Sequence, residues 1–321
     1  MNNERLKEIV NRFNENSVVV LGDVVIDSYV YGKPRGHNPD KDGKPLITVQ
    51  KESLFLGGGG NSAANVASLG GSCVFYTAVG NDSNSEIVKG ICEKNGIVPF
   101  FVREGDTIVK RRVLTNDGEY MARVDHGEQD LNDLSEESKK QILENIKEKN
   151  PKVILLSDYN KRLFRGNLSE SIIAYAKRNN IKVMVDPKPV NSNKFKGSFL
   201  FCPNLKEAKE MIGDINDFEE IAKRVREKSG CENVIVTLKD KGLICYDGWE
   251  CKIIPSYARN VEDTMGAGDT LKAGIALALA AEANIFDAAE IGSHAVAIAV
   301  ERKETTVVKY QELLDRIEKE L

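Results

Sequence analysis

The sequence predicts an α/β protein with a mostly parallel central sheet and helices on both faces, and three observations carry that prediction. Short β-branched runs alternate with amphipathic stretches along nearly the whole chain. The runs are apolar at successive positions, as strands buried on both faces must be. Carboxylates and glycines follow several of them, where an open parallel sheet lines its ligand crevice.

Taken in order, the predicted strands cover residues 17–21, 73–78, 153–156, 183–185, 199–201 and 234–237. Helical spacing marks 86–95, 136–149, 167–179 and 218–229 between them, and 1–16 ahead of them. Two regions, 29–56 and 98–124, instead alternate apolar and polar residues, with a turn signal at Asn116-Asp117-Gly118. They are expected to be hairpin pieces, far apart in sequence, that join into one small β-sheet covering the C-terminal edge of the main sheet. No internal repeat or long linker is visible, so 1–321 reads as one domain with lid segments at about 29–56 and 98–125.

Composition narrows the function classes. The 45 basic and 49 acidic residues leave a net charge of −4, which gives no bulk attraction to nucleic acid or to membrane. The longest apolar helix pattern, near 271–283, is broken by Glu282 and Asn284 before it reaches a membrane-spanning length. Residues 1–16 are mixed in charge and lack the form of a signal peptide. Cys73, Cys92, Cys202, Cys231, Cys245 and Cys251 show no CxxC spacing and read as buried thiols of a reducing compartment, which places the protein in the cytoplasm.

The most informative stretch is Asp263-Thr264-Met265-Gly266-Ala267-Gly268-Asp269, which opens the apolar segment 271–283. A Gly-Ala-Gly turn at a helix start presents unpaired amides beside the positive end of the macrodipole, a setting for an anion. A carboxylate there is poorly placed to bind the anion but well placed to take a proton from a group attacking it; the alternative is an ordinary N-cap at Asp263 or Asp269. Gly22-Asp23 ends the first strand and Asp27 lies four residues on, where carboxylates either accept hydrogen bonds from sugar hydroxyls or cap a turn. Gly57-Gly58-Gly59-Gly60-Asn61 opens a further helix, and its glycines permit close backbone approach to a ligand or serve only as a hinge. Asn61 either caps that helix or binds substrate. Asn204 and Glu207 share a helical face, suited to a metal-bound water or phosphate, or to a capping box. Thr237 and Gly242 bracket a tight turn where nucleotide phosphates fit. Lys110, Arg111 and Arg112 lie together, with Arg123 on the facing strand; Lys110 and Arg112 share a face able to clamp a sugar phosphate, or else protect a solvated strand edge.

Together these motifs, in this order, resemble the ribokinase-like (PfkB-type) carbohydrate kinases, over about residues 17–316. Within that family the likeness is strongest toward the D-glycero-D-manno-heptose 7-phosphate kinases, the kinase half of ADP-heptose synthesis proteins. It rests on Gly-Asp-Val-Val-Ile-Asp at 22–27, Ser157-Asp158-Tyr159 with Lys161, Val185-Asp186-Pro187-Lys188, Pro203-Asn204, and Lys110, Arg112, Arg123, Val124 and Asp125. The resemblance implies transfer of a phosphoryl group from ATP to a hydroxyl of a sugar phosphate, with the C1 hydroxyl of a heptose 7-phosphate as leading candidate. Asp269 would be the base and Gly266, Ala267 and Gly268 the anion hole. Asp23, Asp27, Gly58, Gly59, Asn61, Lys110, Arg112, Arg123 and Asp158 would bind the sugar. Lys188, Asn204, Thr237, Gly242, Gly268 and His294 would lie along the nucleotide, with Asn204 and Glu207 organising Mg²⁺ through water. A homodimer through the β lid is implied as well, with no nucleic-acid or membrane partner. The alternatives are a ribokinase-like kinase of a neutral sugar or nucleoside, and a non-catalytic sugar or nucleotide sensor.

Several positions depart from the family pattern. Arg35-Gly36-His37-Asn38-Pro39-Asp40 replaces an Arg-Ile-Ser-Pro-Glu-like stretch of the lid, Arg162 replaces a glycine, and His294 replaces an asparagine. Lys303-Glu304-Thr305-Thr306 replaces a Gly-Thr-Ser-type turn, so the family's monovalent-cation site is not carried over. The nucleotidyltransferase part of bifunctional relatives is not expected in this chain.

Overall fold

The computed structural model describes residues 3–36, 38, 40–41, 44–129, 131–302 and 307–319. His37, Pro39 and the 303–306 run singled out above lie outside them.

The chain opens with helix α1 (Asn3–Asn11) and strand β1 (Ser17–Gly22), then leaves the main body as β2 (Val24–Arg35) and β3 (Leu46–Gly58) before returning as α2 (Gly59–Ser68) and β4 (Ser72–Val79). Next come α3 (Ser83–Lys94), β5 (Ile97–Arg103), β6 (Ile108–Thr115) and β7 (Tyr120–His126). The regular alternation follows, as α4 (Glu136–Lys149), β8 (Val153–Ser157), α5 (Leu168–Arg178), β9 (Lys182–Asp186), β10 (Leu200–Phe201), α6 (Leu205–Ile212), α7 (Phe218–Ser229) and β11 (Asn233–Thr237). The chain closes with β12 (Leu243–Tyr246), β13 (Cys251–Ile254), α8 (Ala267–Ala280), α9 (Ile285–Val300) and α10 (Tyr310–Lys319).

The predicted class is found. A nine-stranded sheet runs β13-β12-β11-β10-β9-β8-β1-β4-β5, parallel except for its β12–β13 end. The runs in its centre are buried on both faces, and their alternate residues enter separate cores. Val18, Val20, Val153 and Leu155 pack with α1, α2, α8 and α9, whereas Val19, Leu21, Ile154 and Leu156 pack with α4, α5 and α7. Each such side chain contributes about 1.5–3 kcal/mol by leaving water. The chain departs from β1 to β8 on one side and β4 on the other, so β1 marks the switch point whose C-terminal end opens a crevice.

The second, four-stranded sheet is ordered β3-β2-β6-β7, with the two hairpins joined by the parallel pair β2–β6. Both pieces were expected, but their bounds differ. Residues 97–103 belong not to the lid but to the large sheet, where β5 pairs parallel with β4 through the α3 crossover. An edge strand is half exposed, and that exposure produces the alternation of a hairpin. The lid hairpins are therefore 24–58 and 108–126.

Glycines set how closely the lid strand and α2 approach the sheet. A Cβ on Gly59 would lie 2.7 Å from the Gly22 Cα, and one on Gly22 would lie 2.9 Å from the Gly59 Cα. Backbone meets backbone there, so neither side can yield by a rotamer change. Gly59→Ala is expected to lower stability by about 2 kcal/mol through overpacking. Thermal or urea unfolding checks this, and an unchanged midpoint would mean that the crossing is not close.

Candidate active site

A cleft of 260 Å³ opens between the lid and the start of α8. Its lid wall carries Asp27 and Tyr29 from β2 and Lys110 and Arg112 from β6; Gly58, Asn61, Tyr159, Gly266 and Asp269 form the opposite side. The sheet register explains the lid wall, because Asp27 lies beside Lys110 and Tyr29 beside Arg112 on one face. Gly57 makes room for it, since a Cβ there would strike the Asp27 carboxylate.

Helix α8 begins without a side-chain cap, whereas Asp82, Ser135, Asn204, Asp217 and Asn284 cap α3, α4, α6, α7 and α9. Gly266 occupies the N-cap at φ +75°, a left-handed geometry that suits glycine. Asp263 accepts from the Met265 amide inside the preceding loop, so neither candidate aspartate caps α8. The Ala267 amide donates to the Thr264 carbonyl at 3.3 Å, and the rest of the first turn and the dipole suit an anion.

Asp269 is 6% exposed and held by three side chains. The Asn61 amide donates to Oδ2 at 2.8 Å, the Ser62 hydroxyl to Oδ1 at 2.8 Å, and the Tyr159 phenol is shared between the oxygens at 3.0 and 3.2 Å. Burial and the neighbouring Asp269 charge push the Tyr159 phenol well above its usual range, so it stays a proton donor. Asn61 was expected to grip a sugar, but its amide is turned to Asp269 instead. Behind it, Asn65 donates to the Asn61 side chain and accepts from the Thr270 hydroxyl, so α2 and α8 share one polar network.

Beyond Asp269, the ends of β9, β10 and β11 bring together the expected nucleotide residues. Lys188 Nζ meets Glu207 Oε1 at 2.7 Å, and Asn204 pairs with Thr237 in an isolated parallel bridge. Asn204 and Glu207 form a reciprocal capping box, both bonds at 2.9 Å. Gly242 turns at φ +87°, with a hypothetical Cβ pressed on the Ile254 carbonyl, so the turn itself demands glycine. Lys272 and Asp186 form a buried ion pair next to this group. Burial pushes Asp186 up to about 6 against the pull of Lys272, while Asp186 holds the Lys272 ammonium above the usual lysine range despite its burial.

The donor set bears on magnesium. No group of three or more His, Cys, Asp or Glu side chains among the described residues could hold a metal. Magnesium does not need one, since it keeps several waters and binds through one or two carboxylates plus substrate phosphates. Glu207 fits: one oxygen is fixed by the capping box, and the other is bonded to the flexible Lys188.

Four expected substrate or nucleotide residues are placed differently. Asp23 is 4% exposed, and its carboxylate accepts from the backbone amides of Lys161, Arg162 and Leu163, each at 3.0 Å. Burial pushes its carboxyl up against the pull of those amides. It holds the loop after β8 in place of a sugar. Asp158 does the same one loop on, accepting from the Asn160 and Lys188 amides and the Asn191 side chain. His294, expected along the nucleotide, is buried and stacked on Tyr257 with ring centroids 3.8 Å apart. Arg123 faces Arg112 across β6 and β7 but is clamped by Asp125 at 2.6 and 2.8 Å and does not line the cleft. Arg162, in place of the family glycine, donates its guanidinium to the Glu104 carbonyl.

Ser62, Tyr159 and Lys272 gained no role from the sequence. Ser62 is adjacent to Asn61 and indistinguishable from a helix-start serine. Tyr159 stood in the quoted Ser-Asp-Tyr string, which was a usable signal. Lys272 is the one basic residue of α8, and it stands among apolar residues from Leu271 onward; that anomaly is the signal for it.

Comparison with known proteins supplies the family. The profile of the pfkB family carbohydrate kinases matches residues 15–311. The bifunctional protein HldE of Aliarcobacter butzleri is 34% identical over 293 residues, covering 88% of this chain and 60% of that protein. HldE of Sulfurimonas denitrificans is 30% identical over 304 residues, covering 92% and 63%. The chain therefore spans about three-fifths of the length of these curated relatives. Phosphofructokinase-2 from Escherichia coli in complex with potassium superposes with a TM-score of 0.78 at 20% identity, over 95% of this chain and 98% of that one. Ribokinase from Thermotoga maritima superposes with a TM-score of 0.70 at 25% identity, over 94% and 99%. With the family profile spanning nearly the whole chain, the protein belongs to the pfkB family of carbohydrate kinases.

Proposed function

We propose that the protein, acting as one kinase domain over 1–321, transfers the γ-phosphoryl group of ATP to the C1 hydroxyl of a heptose 7-phosphate. The observation that carries the reading is the placement of Lys110 and Arg112 across one cleft from Asp269. A neutral sugar needs no cations there, whereas a sugar phosphate seated with its hydroxyl on Asp269 presents its phosphate to the lid. The likeness of 22–27, 157–161 and 185–188 to heptose-7-phosphate kinases supports the same substrate.

The chain's residues divide the work as the chemistry requires, since phosphoryl transfer depends on alignment and charge stabilisation more than on covalent chemistry. An ionised carboxylate offers about four acceptor positions, and three donors, Asn61, Ser62 and the shared Tyr159 phenol, are bonded to Asp269. About one position is left for an incoming hydroxyl, and the Tyr159 bond, divided between two oxygens, opens it by settling on one of them. Asp269 then takes the hydroxyl proton as the oxygen attacks. The amides of the Gly266–Gly268 turn stabilise the charge on the transferred group. Asp27 orients sugar hydroxyls beside Arg112, and Lys188, Asn204, Thr237 and Gly242 lie along the nucleotide. Magnesium, held by Glu207 and Asn204 through water, would supply charge neutralisation on the nucleotide phosphates.

A second reading, a kinase of a neutral sugar or nucleoside, is favoured by one observation. Arg112 is already paired with Asp27 at 2.6 Å and Lys110 with Glu128 at 3.4 Å, so the lid wall is neutralised in the free protein. Assembly through the lid belongs to the proposal too: the lid sheet exposes Val49, Tyr120 and Val124, apolar residues that a second copy would cover.

The test is ADP release with ATP and Mg²⁺ across heptose 7-phosphates, their dephosphorylated forms, ribose and nucleosides. Lys110→Met with Arg112→Met is expected to raise KM for the heptose 7-phosphate on the order of 100-fold, as loss of charge-assisted bonds implies. Turnover of any unphosphorylated sugar should change little. Equal loss on both substrate classes, or wild-type preference for a neutral sugar, would discard the phosphate clamp.

A further inference from the structure

Lys272 is placed where an ammonium ion is least at ease. It lies on the buried α8, flanked by Leu271, Ala273 and Ile275, and is itself only 8% exposed. Side chains of a helix lean toward its N-terminus, and this one leans onto the anion-binding turn. Its Nζ would lie 3.4 Å from a Cβ built on Gly268. The ammonium is therefore both desolvated and held at the positive end of a helix dipole. Asp186 is its partner, at the end of β9, and Asp269 and Glu207 also act on it electrostatically. As a purely structural device the pair is poor, because an apolar pair of like volume stabilises a buried site equally well or better. An arriving phosphate would relieve every one of these costs.

Resting on the kinase reading above, we propose that Lys272 is a catalytic residue that contacts the transferred γ-phosphoryl group. In the free protein Asp186 stores the ammonium beside the Gly268 amide. When ATP is bound, the ammonium turns from Asp186 to the γ-phosphoryl oxygens and stays on them as charge shifts toward the leaving oxygen. No bond to Lys272 forms or breaks, and its proton inventory is unchanged. Lys188 is a different cation, half exposed and bonded to Glu207, on the nucleotide side of the site.

The experiment compares calorimetric binding of a β,γ-imido ATP analogue and of ADP, each with Mg²⁺, to the full chain and to Lys272→Met, alongside turnover. Lys272→Met is expected to bind the analogue at least about 30-fold more weakly and ADP within about 3-fold of wild type. Its kcat should fall about 100-fold, as for removal of one transition-state donor. Lys272→Arg should recover part of the analogue affinity. Should Lys272→Met fail to fold because Asp186 is left uncompensated, the double variant with Asp186→Asn removes that charge and carries the same expectation. Equal loss for analogue and ADP, or loss for neither, overturns the role of Lys272 while wild-type turnover leaves the kinase reading standing. A wild type that binds neither nucleotide overturns both.

Discussion

The arrangement depends on one buried carboxylate. Asp269 is tied to α2 through Asn61 and Ser62 and to the loop after β8 through Tyr159, so elements about 100 to 200 residues apart meet at two oxygen atoms. Burying a carboxylate is expensive unless its oxygens are satisfied, and this requirement fixes the elements around it. Gly59 and Gly22 must lack side chains so that α2 can approach the sheet. Asp23 must hold the amides of Lys161, Arg162 and Leu163 so that the loop carrying Tyr159 keeps its shape. The donors thus fix the carboxylate beside the start of α8, where the proposed reaction needs a base.

The lid obeys a second electrostatic constraint. Arg112 and Arg123 are direct cross-strand partners, a like-charge pair that alone would be destabilising. Asp27 neutralises one and Asp125 the other, and Glu128 does the same for Lys110 and Lys161. The Arg123 guanidinium in turn holds Asp125 below the usual carboxylate range.

Much of this was legible in the sequence, for identifiable reasons. The central strands announce themselves because burial on both faces demands unbroken apolar runs, and the Gly-Ala-Gly-Asp turn does so because two glycines at the start of a long apolar helix leave amides open to an anion. β5 was misassigned to the lid because an edge strand, half exposed, carries the alternation of a hairpin. Asp23 and Asp158 read as sugar ligands in the sequence because a carboxylate that receives backbone amides looks there the same as one that faces a ligand; only geometry tells them apart. Asn204 and Glu207 form the capping box that their spacing allowed. Ser62 carries no sequence signal, and the Ser-Asp-Tyr string marks Tyr159 without its role, because both roles arise from long-range contacts with Asp269.

Single-turnover phosphoryl transfer by Asp269→Asn, measured together with its affinity for ATP, tests the central assignment most directly. The account predicts nucleotide affinity close to that of wild type and a transfer rate lower by several orders of magnitude, because the hydroxyl loses its proton acceptor. A transfer rate near that of wild type would contradict it, and would remove Asp269 from the chemistry.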